Sequence, residues 1–341
     1  MTRHQTFTSI TPITPDRDDA STAAPIEEML HYACRAPSVH NSQPWRWRAH
    51  GNRIDLFADR RRQLVYADPQ GRDLVISCGA ALHHLQITAA ALGWASRVQR
   101  MPDPLDDRHL ARLTLKPSRP RADREAVLTS IMSRRTDRRR LTSWPIPHQQ
   151  LARLSATGSL WGAQVFPVTS DSVKQQLHDL THRANLIQSR NPRYIEELAA
   201  STLGTGTDGI GPAVIPERGE PAAAPLNRAF PNGILPNPPV EQEPAEEALL
   251  LICTCSDDTI SRLRAGEALS AVWLHATHDN MALVPLSQAV EVDETRRTLQ
   301  SGVLGDLAYP QLLLRLGWLP LRRDNLPHTP RRPLSEVVDH T

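Results

Sequence analysis

Lysine is scarce in this chain of 341 residues, and nearly all of its 39 basic residues are arginines. Only Lys116 and Lys174 are lysines. Acidic residues number 37, so the formal net charge is +2. A balance this close argues against a general nucleic-acid-binding surface. Because codon usage also produces an arginine bias, the bias by itself does not indicate phosphate binding.

Cysteine is infrequent as well. Cys34, Cys78, Cys253 and Cys255 are scattered along the chain, which is typical of buried, reduced thiols and argues against a disulfide framework. A zinc site needs closely spaced Cys or His pairs, and the "HATH" stretch at 275–278 has no third ligand nearby. We therefore expect no metal site.

Long apolar runs are also lacking. The longest, "ALLLIC" at 248–253, is far shorter than a membrane span, and the N-terminal stretch has no apolar signal core. Hydrophobic residues make up 40 % of the chain, enough for a sizeable core. We expect a cytoplasmic globular protein that does not enter a membrane.

Several motifs for catalysis are missing from the sequence. It shows no Ser-His-Asp order, no paired-carboxylate loop and no G-x-x-x-x-G-K phosphate loop. "GTGTDG" at 204–209 matches G-x-G-x-x-G, but that fingerprint needs a preceding strand and a following helix. Here a helical pattern precedes it, and Pro212 and Pro216 follow. Any chemistry is therefore expected to come from a bound cofactor.

Hydrophobic periodicity predicts two successive units of helices and strands. The first has helices at 25–36 and 71–93, a hairpin turning at Gly51 and Asn52, and strands at 94–101 and 109–115. After a linker at 116–123, the second has helices at 124–133, 171–203 and 262–280 and strands at 163–170, 248–255 and 282–286, and it closes with "QLLLRLG" at 311–317. This order predicts an α+β fold with a mixed sheet in each half.

The two units contain a weak internal repeat. "CGAALHHLQITAA" from Cys78 aligns with "AGEALSAVWLHAT" from Ala265, and the alignment matches Gly79 with Gly266. Two Ala-rich helices can match in this way by chance. The alternative is that two related halves are fused, each burying a small-residue helix where close packing is required.

Three stretches are candidates for binding. "RAPSVHNSQPWRWR" at 35–48 has short hydrogen-bonding side chains between two prolines that stiffen it, which suits a planar polar ligand, although turns have the same composition. "SRRTDRRR" at 133–140 and "TPRRP" at 329–333 carry arginine forks and threonine hydroxyls that together fit a phosphate dianion. Each is also compatible with a solvated basic turn.

The segment 204–244 is crowded with Gly and Pro and has no sustained periodicity. A stretch this long inside a compact domain is usually a functional lid or disordered. Disorder alone does not need apolar groups, so we expect a lid over the ligand. The apolar residues that would dock it are Ile210, Val214, Ile215, Phe230, Ile234 and Leu235.

"APSVHNSQPWRW" resembles the Pro-Ser-x-x-Asn-x-Gln-Pro-Trp loop of the FMN-dependent nitroreductases, specifically their Acg-like branch. Typical members are homodimers in which this loop reaches the flavin of the neighbouring subunit. The resemblance implies that Ser38, Asn41 and Gln43 lie near the flavin ring and ribityl chain. It spans roughly residues 25 to 339.

The arginine stretches resemble two further motifs of that family. The Arg-x-Ser motif for flavin phosphate and ribityl is similar to the region of Arg134, Arg135 and Thr136, with Arg138 following. Near N1 and O2 of the flavin, Arg138 would stabilise the negative charge of the reduced ring. The C-terminal Lys-x-Arg-x-Pro motif is similar to "TPRRP", where Arg331 keeps the arginine and Thr329 replaces the lysine.

The order of these motifs departs from the family pattern, in which Arg-x-Ser comes first. Here the loop at Pro37 precedes the arginine stretch by about a hundred residues. The resemblance thus implies a nitroreductase-like fold in two fused related halves that imitate a homodimer. Residues 25–118 supply the loop and 124–339 supply the phosphate grip. We expect one composite flavin site and a monomer.

The implied function is an FMN-binding oxidoreductase that passes electrons from NAD(P)H to a small acceptor. Pro285, Leu286 and Ser287 stand where many members have Pro-x-Glu, and their backbone groups are expected to contact the ring. The missing Glu and the long Pro-rich segment favour an alternative, a protein that sequesters or stores FMN under a lid with little turnover. The protein supplies position and electrostatics, while the chemistry belongs to the flavin.

Overall fold

The computed structural model describes residues 23–203, 206–217, 226, 228–236, 247–319 and 326–339. Its helices are α1 Ile26–Ala33, α2 Arg72–Ala91, α3 Arg124–Ser133, α4 His148–Ser159, α5 Asp171–Gln188, α6 Pro192–Ser201, α7 Thr259–His278, α8 Gln288–Glu291, α9 Asp293–Gly302 and α10 Leu334–Val337. Its strands are β1 Trp45–His50, β2 Arg53–Ala58, β3 Trp94–Arg100, β4 His109–Pro117, β5 Gln164–Val168, β6 Ala248–Thr254, β7 Met281–Leu286, β8 Tyr309–Trp318 and β9 Val338–Asp339. The predicted α+β content is confirmed.

The first sheet has the order β3-β4-β2-β1-β9. Strands β1 to β4 pair antiparallel, and the hairpin between β1 and β2 turns at Gly51, whose φ of +54° lies in the left-handed region that glycine favours. The C-terminal strand β9 adds to β1 in parallel. The end of the chain thus completes a sheet built by its beginning.

The second sheet has the order β5-β6-β8-β7, and all its pairs are antiparallel. The prediction of a mixed sheet in each half is therefore wrong for this half. The crossover helix α7 does join two strands of the same direction, β6 and β7. However, β8 lies between them and runs the opposite way.

Helices α2 and α7 pack against each other in the core, where Gly79 of α2 faces Gly266 of α7. Helix α2 is the one helix of the described ranges that is long and apolar enough to cross a membrane. However, 83 % of its most apolar stretch is buried inside the protein, as in a core helix. The apolar run noted in the sequence, 248–253, is shorter than α2 and lies in β6. Asp68 caps α2 by accepting a hydrogen bond from the amide of Leu74 at 2.8 Å.

The four cysteines are free thiols. Cys34, Cys78 and Cys253 are buried as predicted. Cys255 is exposed, because β6 ends one residue before it and the chain there turns towards solvent. No group of three or more potential metal ligands occurs among the residues that the structure describes.

Candidate functional site

A large cleft lies beside the crossing of α2 and α7, with about 1360 Å³ of space free of atoms, part of it open to solvent. Its walls come from the loop before β1, the ends of α2, α3 and β7, the middle of α7, the Gly/Pro-rich segment and the C-terminal tail. Ten of the predicted site residues line it: Ser38, Asn41, Arg134, Arg135, Thr136, Arg138, Pro285, Leu286, Ser287 and Arg331. The structure thus brings together residues that stand far apart in the sequence.

The loop before β1 is held in an unusual backbone conformation. His40, Asn41 and Gln43 have φ of +44°, +56° and +48°, in the left-handed region that non-glycine residues seldom occupy. Two bonds to serine hydroxyls fix this shape, from the amide of Val39 to Ser77 and from that of Gln43 to Ser38, both at 3.0 Å. Backbone strain of this kind is concentrated at functional sites.

The amides of Asn41 and Gln43 bind protein backbone in this structure. Asn41 Nδ2 donates to the carbonyl oxygens of Gly209 at 3.0 Å and Pro330 at 3.1 Å. Gln43 lies behind the cleft wall, where its Nε2 donates to the Thr207 oxygen at 2.9 Å and its Oε1 accepts from the Arg332 amide at 2.9 Å. These two side chains therefore tie the loop to the Gly/Pro-rich segment and to the C-terminal tail.

One end of the cleft is an arginine group made of Arg35, Arg134, Arg135 and Arg331. None of the four has a carboxylate within 4.0 Å among the described residues. Burial, followed by the charge of Arg331, lowers the pKa of Arg134 to about 9. Burial, followed by the charge of Arg35, lowers the pKa of Arg331 to about 10. Both values lie above 7, so Arg134 and Arg331 are cations at neutral pH, and no carboxylate of the described residues offsets their charge.

The bonds of this arginine group are made to neutral partners. Arg331 donates to the carbonyl oxygen of Cys34 at 3.1 Å and to Asn41 Oδ1 at 3.0 Å. The guanidinium of Arg134 lies 4.5 Å from the ring centre of Trp273. The Nε atoms of Arg134 and Arg135 are buried and make no hydrogen bond within the described chain. Unpaired buried donors of this kind are costly unless a ligand pairs with them.

Arg228 also lines the cleft, is bound to Glu291 and was not predicted from the sequence. Glu291 accepts hydrogen bonds from Ser287 Oγ and from Gln188 Nε2, both at 2.6 Å, and forms an ion pair with Arg228. Burial, followed by the charge of Arg228, lowers the pKa of Arg138 to about 10. The sequence contained one signal for the contact between Ser287 and Glu291, because a spacing of four residues places side chains on the same face of a helix.

The Gly/Pro-rich segment contributes directly to the cleft. Ile210, Val214 and Phe230 line it, and Phe230 lies 5.0 Å from the guanidinium carbon of Arg138. Ile234, in contrast, is 61 % exposed and does not line the cleft. The described parts of the segment also pack on α6, where Ile210, Val214, Ile215 and Phe230 share an apolar cluster with Ala67, Tyr194 and Leu198.

Helices α2 and α7 supply further lining residues that sequence reasoning missed. These are Asp73, Ile76 and Ser77 from α2, and Leu269 and Trp273 from α7. The repeat marked both helices as buried, but which of their residues border a cavity depends on how the helices cross. That angle is not visible in either helical pattern alone.

These features define an α+β protein with a large cleft that is lined by apolar side chains and by several arginines. "Putative NAD(P)H nitroreductase Rv3131" of Mycobacterium tuberculosis is 39 % identical over 323 residues, covering 93 % of this chain and 92 % of that protein. "Putative NAD(P)H nitroreductase acg" of the same species is 33 % identical over 333 residues, covering 94 % and 97 %. The chain therefore belongs to the nitroreductase family, in the branch that contains these relatives, as the loop motif predicted.

No family model matches the sequence. Among solved structures, a nitroreductase with bound FMN from Desulfitobacterium hafniense aligns with a TM-score of 0.39 at 12 % identity, covering 63 % of this chain and 98 % of the other. The NADPH:FMN oxidoreductase of Vibrio harveyi, complexed with NAD⁺, aligns with a TM-score of 0.38 at 13 % identity, covering 63 % and 76 %.

Proposed function

We propose that this protein is an FMN-dependent oxidoreductase of nitroreductase type, which takes electrons from NAD(P)H and passes them to a small acceptor. The observation that carries the proposal is the arginine group, whose buried and half-buried cations have no carboxylate partner among the described residues. A phosphate dianion supplies the missing charge and accepts from several guanidinium donors at once. The flavin itself would supply the two-electron chemistry.

The residues present fit FMN at both of its ends. Arg134, Arg135 and Arg331, with Thr136, would hold the phosphate, because all four line the cleft and the Nε atoms of Arg134 and Arg135 have no hydrogen-bond partner in the described chain. The apolar side chains along the cleft would cover the faces of a planar ring. These are Leu269, Trp273, Val284, Leu286, Leu312 and Phe230. Arg138 would stabilise negative charge on the ring.

The fused-halves proposal predicts one composite site in each chain. It is supported by the aligned helices, since His83 and Ser270, each four residues after an aligned glycine, lie 2.7 Å apart between Nδ1 and Oγ. Residues 25–118 would supply the loop and residues 124–339 the phosphate grip. A chain that already combines both parts has no need of a partner subunit, so we propose a monomer.

Flavin content and turnover test the proposal. The purified protein, reconstituted with FMN and freed of excess ligand, is expected to hold about one FMN per chain and to migrate as a monomer. NAD(P)H oxidation should then depend on an added quinone or nitroaromatic compound. Two flavins per chain would contradict the composite site, and failure to retain FMN would contradict the function.

The second candidate function is sequestration of FMN. It is favoured by the bonds between described residues of the Gly/Pro-rich segment and the rest of the protein: Asn41 to Gly209, Gln43 to Thr207, Arg62 to Asp208 and Arg228 to Glu291. A protein of this kind would retain FMN tightly but show little NAD(P)H oxidation with any acceptor. The same two measurements, flavin content and turnover, therefore separate the two functions.

A further inference from the structure

Asp73 stands in the wall between two cavities. It belongs to the first turn of α2, is only 7 % exposed, and lines both the large cleft and a smaller outer cavity. Its Oδ2 is buried and has no hydrogen-bond partner in the described parts of the chain. A buried, unpaired carboxyl oxygen is costly, and such groups in clefts are often functional.

The outer cavity gives Asp73 a connection towards solvent. It holds about 500 Å³ of space free of atoms, part of it open to solvent, and its walls include Asp68, Gln70, Glu291 and Asp293. Asp68 lies in the turn before α2 and accepts a hydrogen bond from the Leu74 amide at 2.8 Å. On one side, Asp73 borders an acidic cavity that is open to solvent. On the other side, it borders the proposed flavin site.

Four charged or titratable groups act on Asp73. Burial raises its pKa well above the usual value of 3.8, and Asp68 and Glu291 raise it further. Arg72 and Arg228 lower it, but Arg72 is paired with Asp257 and Arg228 with Glu291. The raised pKa favours the protonated form of the Asp73 carboxyl, which can give up a proton. Burial also raises the pKa of Asp68, to about 6.

We propose that Asp73 donates the proton that a quinone-type or nitro-type acceptor requires when it is reduced in the cleft, and that Asp68 returns a proton from the outer cavity. This proposal rests on the proposed function. For a quinone, NAD(P)H is oxidised to NAD(P)⁺ and gives up two electrons and one proton as a hydride equivalent. The quinone gains that equivalent and one further proton, which forms an O–H bond as the Asp73 O–H bond breaks. Asp73 then regains a proton from Asp68, and Asp68 from water.

The test compares Asp73→Asn with Asp293→Asn, because Asp293 borders the outer cavity but not the cleft. With FMN bound, each variant is supplied either with a quinone, which takes up protons, or with ferricyanide, which takes one electron and no proton. General acid catalysis contributes at least roughly 100-fold. We expect quinone reduction to fall about 100-fold in Asp73→Asn, with ferricyanide reduction unchanged and Asp293→Asn like the wild type.

A spectroscopic measurement tests the same proposal without turnover. The infrared carbonyl band of protonated carboxyls should be present in the wild type near pH 7, weaker in Asp73→Asn and unchanged in Asp293→Asn. If the band is unaffected by Asp73→Asn, or if quinone reduction is unaffected, Asp73 is not the donor. If the wild type fails to bind FMN or to oxidise NAD(P)H, the proposed function fails and this proposal fails with it.

Discussion

Gly79 of α2 and Gly266 of α7 face each other where the two helices cross, and neither position has room for a side chain. A Cβ atom at Gly79 would lie 2.0 Å from the carbonyl oxygen of Leu263, and a Cβ atom at Gly266 would lie 1.9 Å from that of Ile76. Each of these oxygens belongs to the residue three positions before the opposing glycine. A two-fold axis between identical surfaces produces such reciprocal contacts, so the crossing supports the proposal of two related halves.

Gly79→Ala and Gly266→Ala are each expected to lower the free energy of unfolding by about 1–3 kcal/mol, the usual cost of overpacking a core. The clash is with backbone, which cannot rotate away as a side chain can. Chemical denaturation of each variant measures the loss. Gly302→Ala in α9 is the control, because a Cβ atom there meets nothing within 4 Å. Stabilities of all three variants equal to that of the wild type would contradict the close crossing.

Local patterns predicted much of the fold. The hairpin, α2, α3 and β6 were recognisable because their periodicity and end signals agree with the tertiary structure. Helices α4 and α9 were not predicted. Both have short apolar stripes among polar residues, and such helices owe their stability to docking more than to their own sequence.

Residues of the candidate site could be predicted from the sequence only where they belong to a recognisable motif. Ser38, Arg134 and Arg331 belong to recognisable stretches and do line the cleft. Asp73 and Arg228 reach it only through tertiary packing, from the end of a core helix and from a segment without periodicity. No local spacing distinguishes such residues from ordinary polar ones.

Arg331→Ala is expected to weaken FMN binding by about 1.5–3 kcal/mol, the range for hydrogen bonds to charged groups. The variant removes a half-buried guanidinium from the proposed phosphate site. Titration of the apoprotein with FMN, followed by fluorescence, gives the dissociation constant. Arg153→Ala, on the exposed face of α4, should bind like the wild type. If the two variants bind FMN with equal affinity, the C-terminal tail does not contribute to the phosphate site.

Asp73→Asn is expected to stabilise the protein near neutral pH. Because burial raises the pKa of Asp73 in the folded state, folded protein binds more protons there than unfolded protein, and the wild type loses stability as pH rises above about 4. An Asn side chain carries no such penalty. The difference in unfolding free energy between variant and wild type should therefore vanish at low pH. A constant difference across pH would refute the raised pKa.

Asp257→Asn should behave in the opposite sense. Although burial raises the pKa of Asp257, Arg72 and Arg262 outweigh it and lower that pKa to about 2. Asp257 thus stabilises the folded state at pH values above its usual 3.8, and this contribution is lost as pH falls towards 2. The variant should be less stable than the wild type at pH 7 by about 2 kcal/mol. Unfolding free energies measured between pH 7 and pH 2 should converge.

The last prediction concerns the Gly/Pro-rich segment as a lid. Replacing all of 204–244 with a short Gly/Ser linker would expose the flavin, but it would also uncover the apolar cluster on α6. A single substitution is therefore the sharper test. Asp208 lies on the segment and forms an ion pair with Arg62 beside the loop before β1. Both side chains are partly exposed, so the pair contributes at most about 1 kcal/mol to stability.

Asp208→Asn is expected to leave unfolding nearly unchanged and to speed the release of FMN by up to about 5-fold, which corresponds to about 1 kcal/mol. Asp171→Asn removes a comparable exposed pair, with Lys174, on α5 away from the cleft. Stopped-flow dilution of the FMN-loaded proteins gives both release rates. If the segment covers the cleft, only Asp208→Asn releases FMN faster, and faster reduction by NAD(P)H in that variant alone would favour sequestration as the native role. Identical release from the two variants would mean that the segment does not retain the ligand.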